Sequence, residues 1–344
     1  MKIGIHHREN SFSELAIPYC REHNIPHKIV DCYRSDIIDQ LADCDALIWH
    51  FCQACPTDIV VAKQILYAVE LSGKKVFPDT RTAFYFDDKL GQKYLFEALG
   101  VPTVQTDAFY DREKALAWAE TATFPKVFKM RGGAGSANVK LIKTKQQARK
   151  VIRQAFGKGF SQYHPWSNLK DRVRQYRAGQ ADLLNVAKGV ARFLRYPEFA
   201  RVMGKDRGYV YFQEFLPHNT FDIRVTVVGN RAYAVKRMAR EGDFRASGSG
   251  YNRYAREEFP EHVIERAFQV NAKIQAQSLA IDFLFKGDEP LVTEVSYGTC
   301  LSIFQGCPGY WDANLNWHEG TVNPVEWIME DMLEHADEVS SNWV

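Results

Sequence analysis

Asp282-Phe-Leu-Phe-Lys-Gly-Asp-Glu-Pro-Leu-Val-Thr-Glu294-Val-Ser296 is the stretch whose reading decides the fold. Two apolar runs flank a Gly-Asp-Glu-Pro segment, the pattern of an antiparallel hairpin, and folding it about Asp288 sets residue 282 opposite residue 294. The two carboxylates then share one face, their Cβ atoms roughly 5 Å apart. Like charges at that spacing repel unless a cation lies between them. Oxygen ligands of this kind suit Mg2+ carrying nucleotide phosphates. Taken alone, the segment reads equally well as a hairpin with two carboxylates at its wet edge, so the remainder of the chain has to decide.

The chain has 344 residues, 46% hydrophobic and 25% charged, which is ordinary for a globular protein with two or three lobes. No apolar run approaches the roughly 18 to 20 residues of a membrane span. The first residues, Met-Lys-Ile-Gly-Ile-His-His, lead straight into a strand rather than a signal peptide, and the expected compartment is the cytoplasm. Seven cysteines without small-domain spacing fit a reducing compartment. The pairs Cys52/Cys55 and Cys300/Cys307 lack well-placed His partners for zinc and read as buried thiols. The net charge of +2 hides an asymmetry: Lys150 to Arg207 carries 13 Lys and Arg against 4 Asp and Glu. One segment holds the positive field.

Apolar runs at 2–5, 28–30, 46–51 and 75–77 alternate with helical patterns near 12–23, 35–42 and 58–72, which predicts a small parallel sheet. Pro78 to Phe86 looks like a linker. Asp87-Asp88-Lys89 then opens a helix that stops at Gly100-Val-Pro102. A helix over 112–121, a strand ending at Lys129, a glycine-rich loop from Arg131 to Asn138 and a strand over 139–142 follow. Residues 145–207 read as a mostly helical, basic insertion with interleaved aromatics. Strands resume at Tyr209-Val-Tyr-Phe-Gln-Glu-Phe, and 222–228 with 231–237 form a hairpin around Gly229-Asn230 that sets Asp222 across from Arg237. A helix over 261–276 precedes the carboxylate hairpin. Asn323 caps a last helix that begins at Pro324.

Read together, the run from Gln213-Glu-Phe-Leu through Asp222-Ile-Arg224 and Glu241-Gly-Asp-Phe-Arg245 to Asp282, Glu294 and Ser296 resembles the ATP-grasp superfamily. The resemblance is strongest to the ribosomal-protein glutamate ligase and looser to D-Ala:D-Ala ligase and glutathione synthetase. It implies an N-terminal parallel α/β domain, residues 1–85, followed by two α+β lobes that clamp ATP. These are residues 86–208, which include the insertion 145–207, and residues 209–344. It further implies that Lys89 and Lys129 bind phosphate, and that the loop holding Gly133, Gly135 and Ser136 closes over the phosphates as an anion nest. Glu214, Phe215 and Leu216 correspond to the adenine-reading segment, Asp222 to the ribose ligand, and Arg245 to the arginine beside the transferred phosphate. Asp282, Glu294 and Ser296 correspond to the metal ligands, with Ser296 standing where the family usually has Asn.

The activity so implied is an ATP- and Mg2+-dependent carboxylate–amine ligase working through an acyl phosphate. Its expected partners are a small, peptide or glycan carboxylate and an amine. An Asp222–Arg237 ion pair with no ligand role competes with the ribose reading. At the level of function the rivals are phosphoryl transfer without ligation, and binding of nucleic acid or an anionic surface by the basic insertion. Nucleic acid is not the expected partner, because basic helices are commonly solvated faces. Ends of parallel strands in open α/β domains face ligands, which nominates His6, His7, Arg8, His50 and Gln53 for the substrate side. Arg253 and the segment Tyr297 to Gly309 are further candidates there.

Overall fold

The computed structural model describes residues 1–133, 139–161, 166, 169, 172–173, 176, 182–191 and 198–334. They pack into two units, residues 1–52, 57–104 and 216–334 forming one and residues 53–56 and 105–215 the other.

The first unit begins with β1 (Ile3–His6), α1 (Ser13–Glu22), β2 (His27–Val30), α2 (Ile37–Gln40), β3 (Ala46–Ile48), α3 (Pro56–Leu71) and β4 (Lys75–Phe77). The four strands form an all-parallel sheet in the order β2-β1-β3-β4, as the alternating apolar runs predict. All four residues of β1 are buried, the mark of a central parallel strand covered on both faces. The expected linker over 78–86 is instead a packed corner. Asp79 accepts the amide of Thr82 at the start of α4 (Thr80–Ala83), and Thr82, Ala83 and Tyr85 are buried. Asp88 then caps α5 (Lys89–Ala98) by accepting from the amide of Gly91, so the helix starts where the Asp-Asp-Lys signal places it.

The second unit is built on the antiparallel sheet β5-β10-β6-β7, from β5 (Thr106–Phe109), β6 (Lys126–Lys129), β7 (Lys140–Ile142) and β10 (Val210–Glu214). The helices α6 (Arg112–Thr121) and α7 (Lys145–Ala155) cover it, and Ala148, Ile152 and Ala155 of α7 join its core. Thus α7, although basic, belongs to the lobe. Beyond it, β8 (Phe160–Ser161) pairs with β9 (Lys205–Asp206) and clasps the two ends of the remaining basic segment. Of that segment the structure describes α8 (Leu183–Ala191) and α9 (Glu198–Met203); most of 162–181 and all of 192–197 lie outside the described residues.

The chain returns to the first unit as β11 (Phe221–Val228), β12 (Arg231–Met238), β13 (Asn252–Arg253), α10 (Glu261–Ile274), β14 (Ser278–Lys286) and β15 (Glu289–Ser296). There follow α11 (Leu301–Phe304), β16 (Gly309–Asp312), β17 (Trp317–Glu319) and α12 (Pro324–Glu334), capped by Asn323. The strands form a seven-stranded antiparallel sheet with β15, β14, β11, β12, β16 and β17 in that order and β13 beside β12. Alternation divides the faces. Ile223, Val225, Val227, Ile281 and Val295 pack into the core beneath α10, whereas Asp222, Arg224, Thr226, Asp282, Glu294 and Ser296 belong to the opposite face.

The deciding hairpin forms with one change. Its turn is Gly287-Asp288, with Lys286 opposite Glu289, and a register shift between Asp282 and Phe283 restores the pairing of Asp282 with Glu294. Folding about Asp288 therefore gives the right pair from the wrong turn. Thr293 is the extra residue, a bulge that re-aims the strand end where Glu294 and Ser296 stand.

Candidate active site

On the site face of the large sheet two arginines and three carboxylates, joined by Lys89 from α5, are held in ion pairs. Asp282 accepts from Arg224 Nε at 2.6 Å and Nη2 at 2.9 Å, and from Arg237 Nη2 at 2.9 Å. Arg237 also holds both oxygens of Asp222, at 2.6 and 2.8 Å. Lys89 donates to Glu294 Oε1 at 2.9 Å. Arg224, Arg237 and Lys89 thus balance Asp222, Asp282 and Glu294.

The electrostatics follow from burial and from the number of partners. Burial alone raises the Asp282 pKa, but two guanidinium groups outweigh it and hold the carboxyl well below the usual carboxylate range. Asp222 faces Arg237 chiefly, and there burial wins and pushes the carboxyl up. Burial of Lys89 is opposed by the fields of Glu294, Asp87 and Asp282, and the ammonium ends above its ordinary value.

Two hydrogen bonds place Lys89 on Glu294. The side-chain amide of Gln92 donates to the Val295 carbonyl at 2.8 Å and accepts from the Val295 amide at 3.1 Å. Gln92 thereby docks α5 on the outer edge of β15, at the residue between Glu294 and Ser296. Lys89 lies three residues earlier on the same helical face. Sequence reasoning missed Gln92 and gave no role to Arg224; the i, i+3 spacing from Lys89 was the available signal.

The donor set suits a divalent cation. Asp282 accepts three N–H groups out of about four lone-pair positions on a carboxylate, and Glu294 is part-exposed with Lys89 on one oxygen. Phosphates and water complete such a shell around Mg2+. Ser296 is committed elsewhere: its hydroxyl donates to the Gly298 carbonyl at 2.9 Å and accepts the Gly298 amide at 3.3 Å. Among the described residues no three His, Cys, Asp or Glu side chains converge as a ready-made metal site.

Residues 195–306, which contain this whole face except Lys89, match the family model of the RimK-like ATP-grasp domain. The fold agrees over nearly the whole length with a RimK domain protein ATP-grasp from Sphaerobacter thermophilus, 13% identical, covering 97% of this chain and 100% of that one with a TM-score of 0.56. The chain has the ATP-grasp fold. Two further structures of similar fold are D-alanine–D-alanine ligase from Bacillus anthracis (14% identical, 98% and 99% covered, TM-score 0.52) and a biotin carboxylase domain from Hydrogenobacter thermophilus. The latter, of a 2-oxoglutarate carboxylase solved with MgADP, is 12% identical, with 96% and 69% covered and a TM-score of 0.56. No curated protein matches the sequence.

The other expected site residues are distributed as follows. In the first unit, Leu216 is buried with Val104 and Leu291. Arg245 is held by Asp243, two residues away in its own loop, through Nε at 2.9 Å and Nη2 at 2.7 Å. In the second unit, Lys129 ends β6 opposite Tyr211, Gly133 has φ +111°, and Glu214 ends β10 beside half-buried Phe215. Gly135 and Ser136 lie outside the described residues. His6 points inward, its Nδ1 accepting the Cys32 amide, and serves packing. Of the paired cysteines only Cys307 is buried; Cys300 is exposed and Cys52 and Cys55 are half-buried.

Proposed function

We propose that this chain is an ATP-dependent carboxylate–amine ligase, and the observation that carries the reading is Lys89 seated on Glu294 opposite Asp282. A cation and two carboxylates at one sheet edge supply both charges that a metal–nucleotide complex needs. Lys89 would bind phosphate oxygens, and Asp282 with Glu294 would hold the Mg2+ that carries them; the biotin carboxylase domain of similar fold was solved with MgADP. In the reaction a substrate carboxylate oxygen attacks the γ-phosphorus, the bond to ADP breaks, and an acyl phosphate results. An amine then adds to the acyl carbon, phosphate leaves, and the amine's proton passes to solvent. Mg2+ held there would supply neutralisation of the phosphate charge. The protein's own task is positioning and charge.

Further roles in this reading are Lys129 and the loop of Gly133, Gly135 and Ser136 on phosphate, and Glu214, Phe215 and Leu216 on adenine. Asp222 reaches a ribose hydroxyl with the lone pairs that Arg237 leaves. Arg245 steadies the transferred phosphoryl group after exchanging Asp243 for phosphate oxygens. Residues 1–85, 86–208 and 209–344 are taken as the N-terminal domain and the two lobes.

The test is calorimetric titration of Mg·ATP into the wild type and Glu294→Ala, followed by phosphate release across carboxylates and amines. The ligase reading expects binding lost in the variant and release that requires both acceptors. A phosphorylated product without free phosphate means a kinase instead. Absence of Mg-dependent ATP binding in the wild type sinks the enzyme reading.

A further inference from the structure

We propose that Arg8 and His50 anchor a second carboxylate of the substrate, so that the acid activated here is a short dicarboxylate; this rests on the ligase reading above. Arg8 follows β1 and His50 follows β3, both at the C-terminal edge of the parallel sheet. Arg8 Nη2 donates to the His50 carbonyl at 3.0 Å, while its Nε is buried with no acceptor. Among the described residues the Arg8 guanidinium forms no ion pair. A guanidinium carries five N–H donors in a fork shaped for a carboxylate, and a buried donor without a partner is costly. The buried Asp58 is engaged instead by Tyr33 Oη and the Cys52 amide, which each donate to it at 2.7 Å.

His50 presents a second donor beside the first. Its Nδ1 accepts the Phe12 amide at 3.1 Å, which places the ring proton on Nε2, and the ring stacks on Phe12 at 3.8 Å. Nε2 has no acceptor among the described residues. Burial, with Arg8 adding to it, pushes the His50 pKa down to about 3, so this imidazole donates without titrating near neutrality. Ser13 fixes the loop by accepting from the Arg8 amide and donating to the Arg8 carbonyl, both at 3.2 Å.

The anchor is tied to the phosphate end by the chain itself. A Cβ on Gly298 would stand 2.6 Å from His50 Nε2, so the loop leaving β15 lies directly against the imidazole. Gly298 is four residues past Glu294, and extended chain of that length spans at most roughly 13 Å. Metal and phosphate occupy part of it. What remains is the length of a short carbon chain, with one carboxylate at the phosphate and the other at Arg8.

The test titrates the full chain, saturated with a non-hydrolysable ATP analogue and Mg2+, with malonate, succinate, glutarate, adipate and L-glutamate, using butyrate and valerate as controls. Diacids of about four to six carbons are expected to bind at least about 10-fold more tightly than the monoacids. Arg8→Gln is expected to lose about 10- to 100-fold of that affinity. Arg8→Lys, which keeps the charge without the fork, falls between, and it decides the matter if Arg8→Gln does not fold. Equal binding of diacids and monoacids, no diacid binding, or unchanged diacid affinity in both variants overturns the proposal. Failure of the wild type to bind the nucleotide analogue is a separate outcome and removes the ligase reading itself.

Discussion

Glu294→Gln separates the two demands on the Lys89–Glu294 pair. The Lys89 side chain is only 5% exposed, whereas Glu294 is 29% exposed. Removing one member of a fully buried pair costs about 3 to 5 kcal/mol, and a solvent-exposed pair is worth about 0 to 1. Glu294 lies between these limits, and the fields of Asp87 and Asp282 remain on Lys89. The expected loss is therefore about 2 kcal/mol, a fall in Tm of about 3 °C for a chain of this length. Lys89→Met/Glu294→Gln removes the stranded ammonium and should return to within about 1 kcal/mol of the wild type. Nucleotide binding follows a different rule, because each residue contributes its own charge to the Mg–ATP complex. Both single variants and the double variant should lose it. The assay is urea denaturation of the four proteins without ligand, with calorimetric titration of Mg·ATP alongside. Strictly additive stabilities, or a double variant that still binds Mg·ATP, would refute the reasoning.

Arg237→Met leaves Asp222 without its partner and Asp282 with Arg224 alone, so denaturation should show a loss of about 3 kcal/mol or more. The same variant tests pH dependence. The folded pKa of Asp282 is depressed, so its stabilisation is complete above the unfolded carboxylate value near pH 4 and is lost as pH falls below it. With one guanidinium gone, acid unfolding monitored by circular dichroism should begin at higher pH. Gln92→Ala removes both hydrogen bonds to Val295; it should cost about 1 to 3 kcal/mol by urea denaturation and weaken Mg·ATP binding, although Gln92 itself touches no phosphate. Gly298→Ala forces a methyl against His50 Nε2, and overpacking of about 1 to 3 kcal/mol should appear as a lowered Tm.

Much of the site was legible because its elements are local. The caps at Asp88, Asp111 and Thr144 each bind an amide three residues on. The Asp222–Arg237 pair follows from counting residues about Gly229-Asn230, and the register agrees. The same counting about Asp288 succeeded only because the bulge at Thr293 offsets a turn centred half a residue too late. Bulges and packed corners escape such counting. The segment Pro78 to Phe86 is turn-rich in sequence, yet Gln277, some two hundred residues away, accepts the Asp79 amide and donates to the Val76 carbonyl. The β16–β17 hairpin escaped as well, since Asp312, accepting the Asn314 and Asn316 amides, shapes a turn at Asn-Leu-Asn with no Gly or Pro to signal it.

By itself the sequence determined the elements, the facing carboxylates and the residue types that point to a metal–nucleotide site, because strand alternation, helix capping and hairpin register act over a few residues. Only the tertiary structure decided which cation meets which carboxylate. Gln92 seats Lys89 on Glu294 across 205 positions of chain, Arg224 reaches Asp282 across 58, and Arg8 is left beside His50 with a donor unspent. Coulomb energies and burial depend on distance in space, and that distance is set by packing between segments the sequence lists far apart.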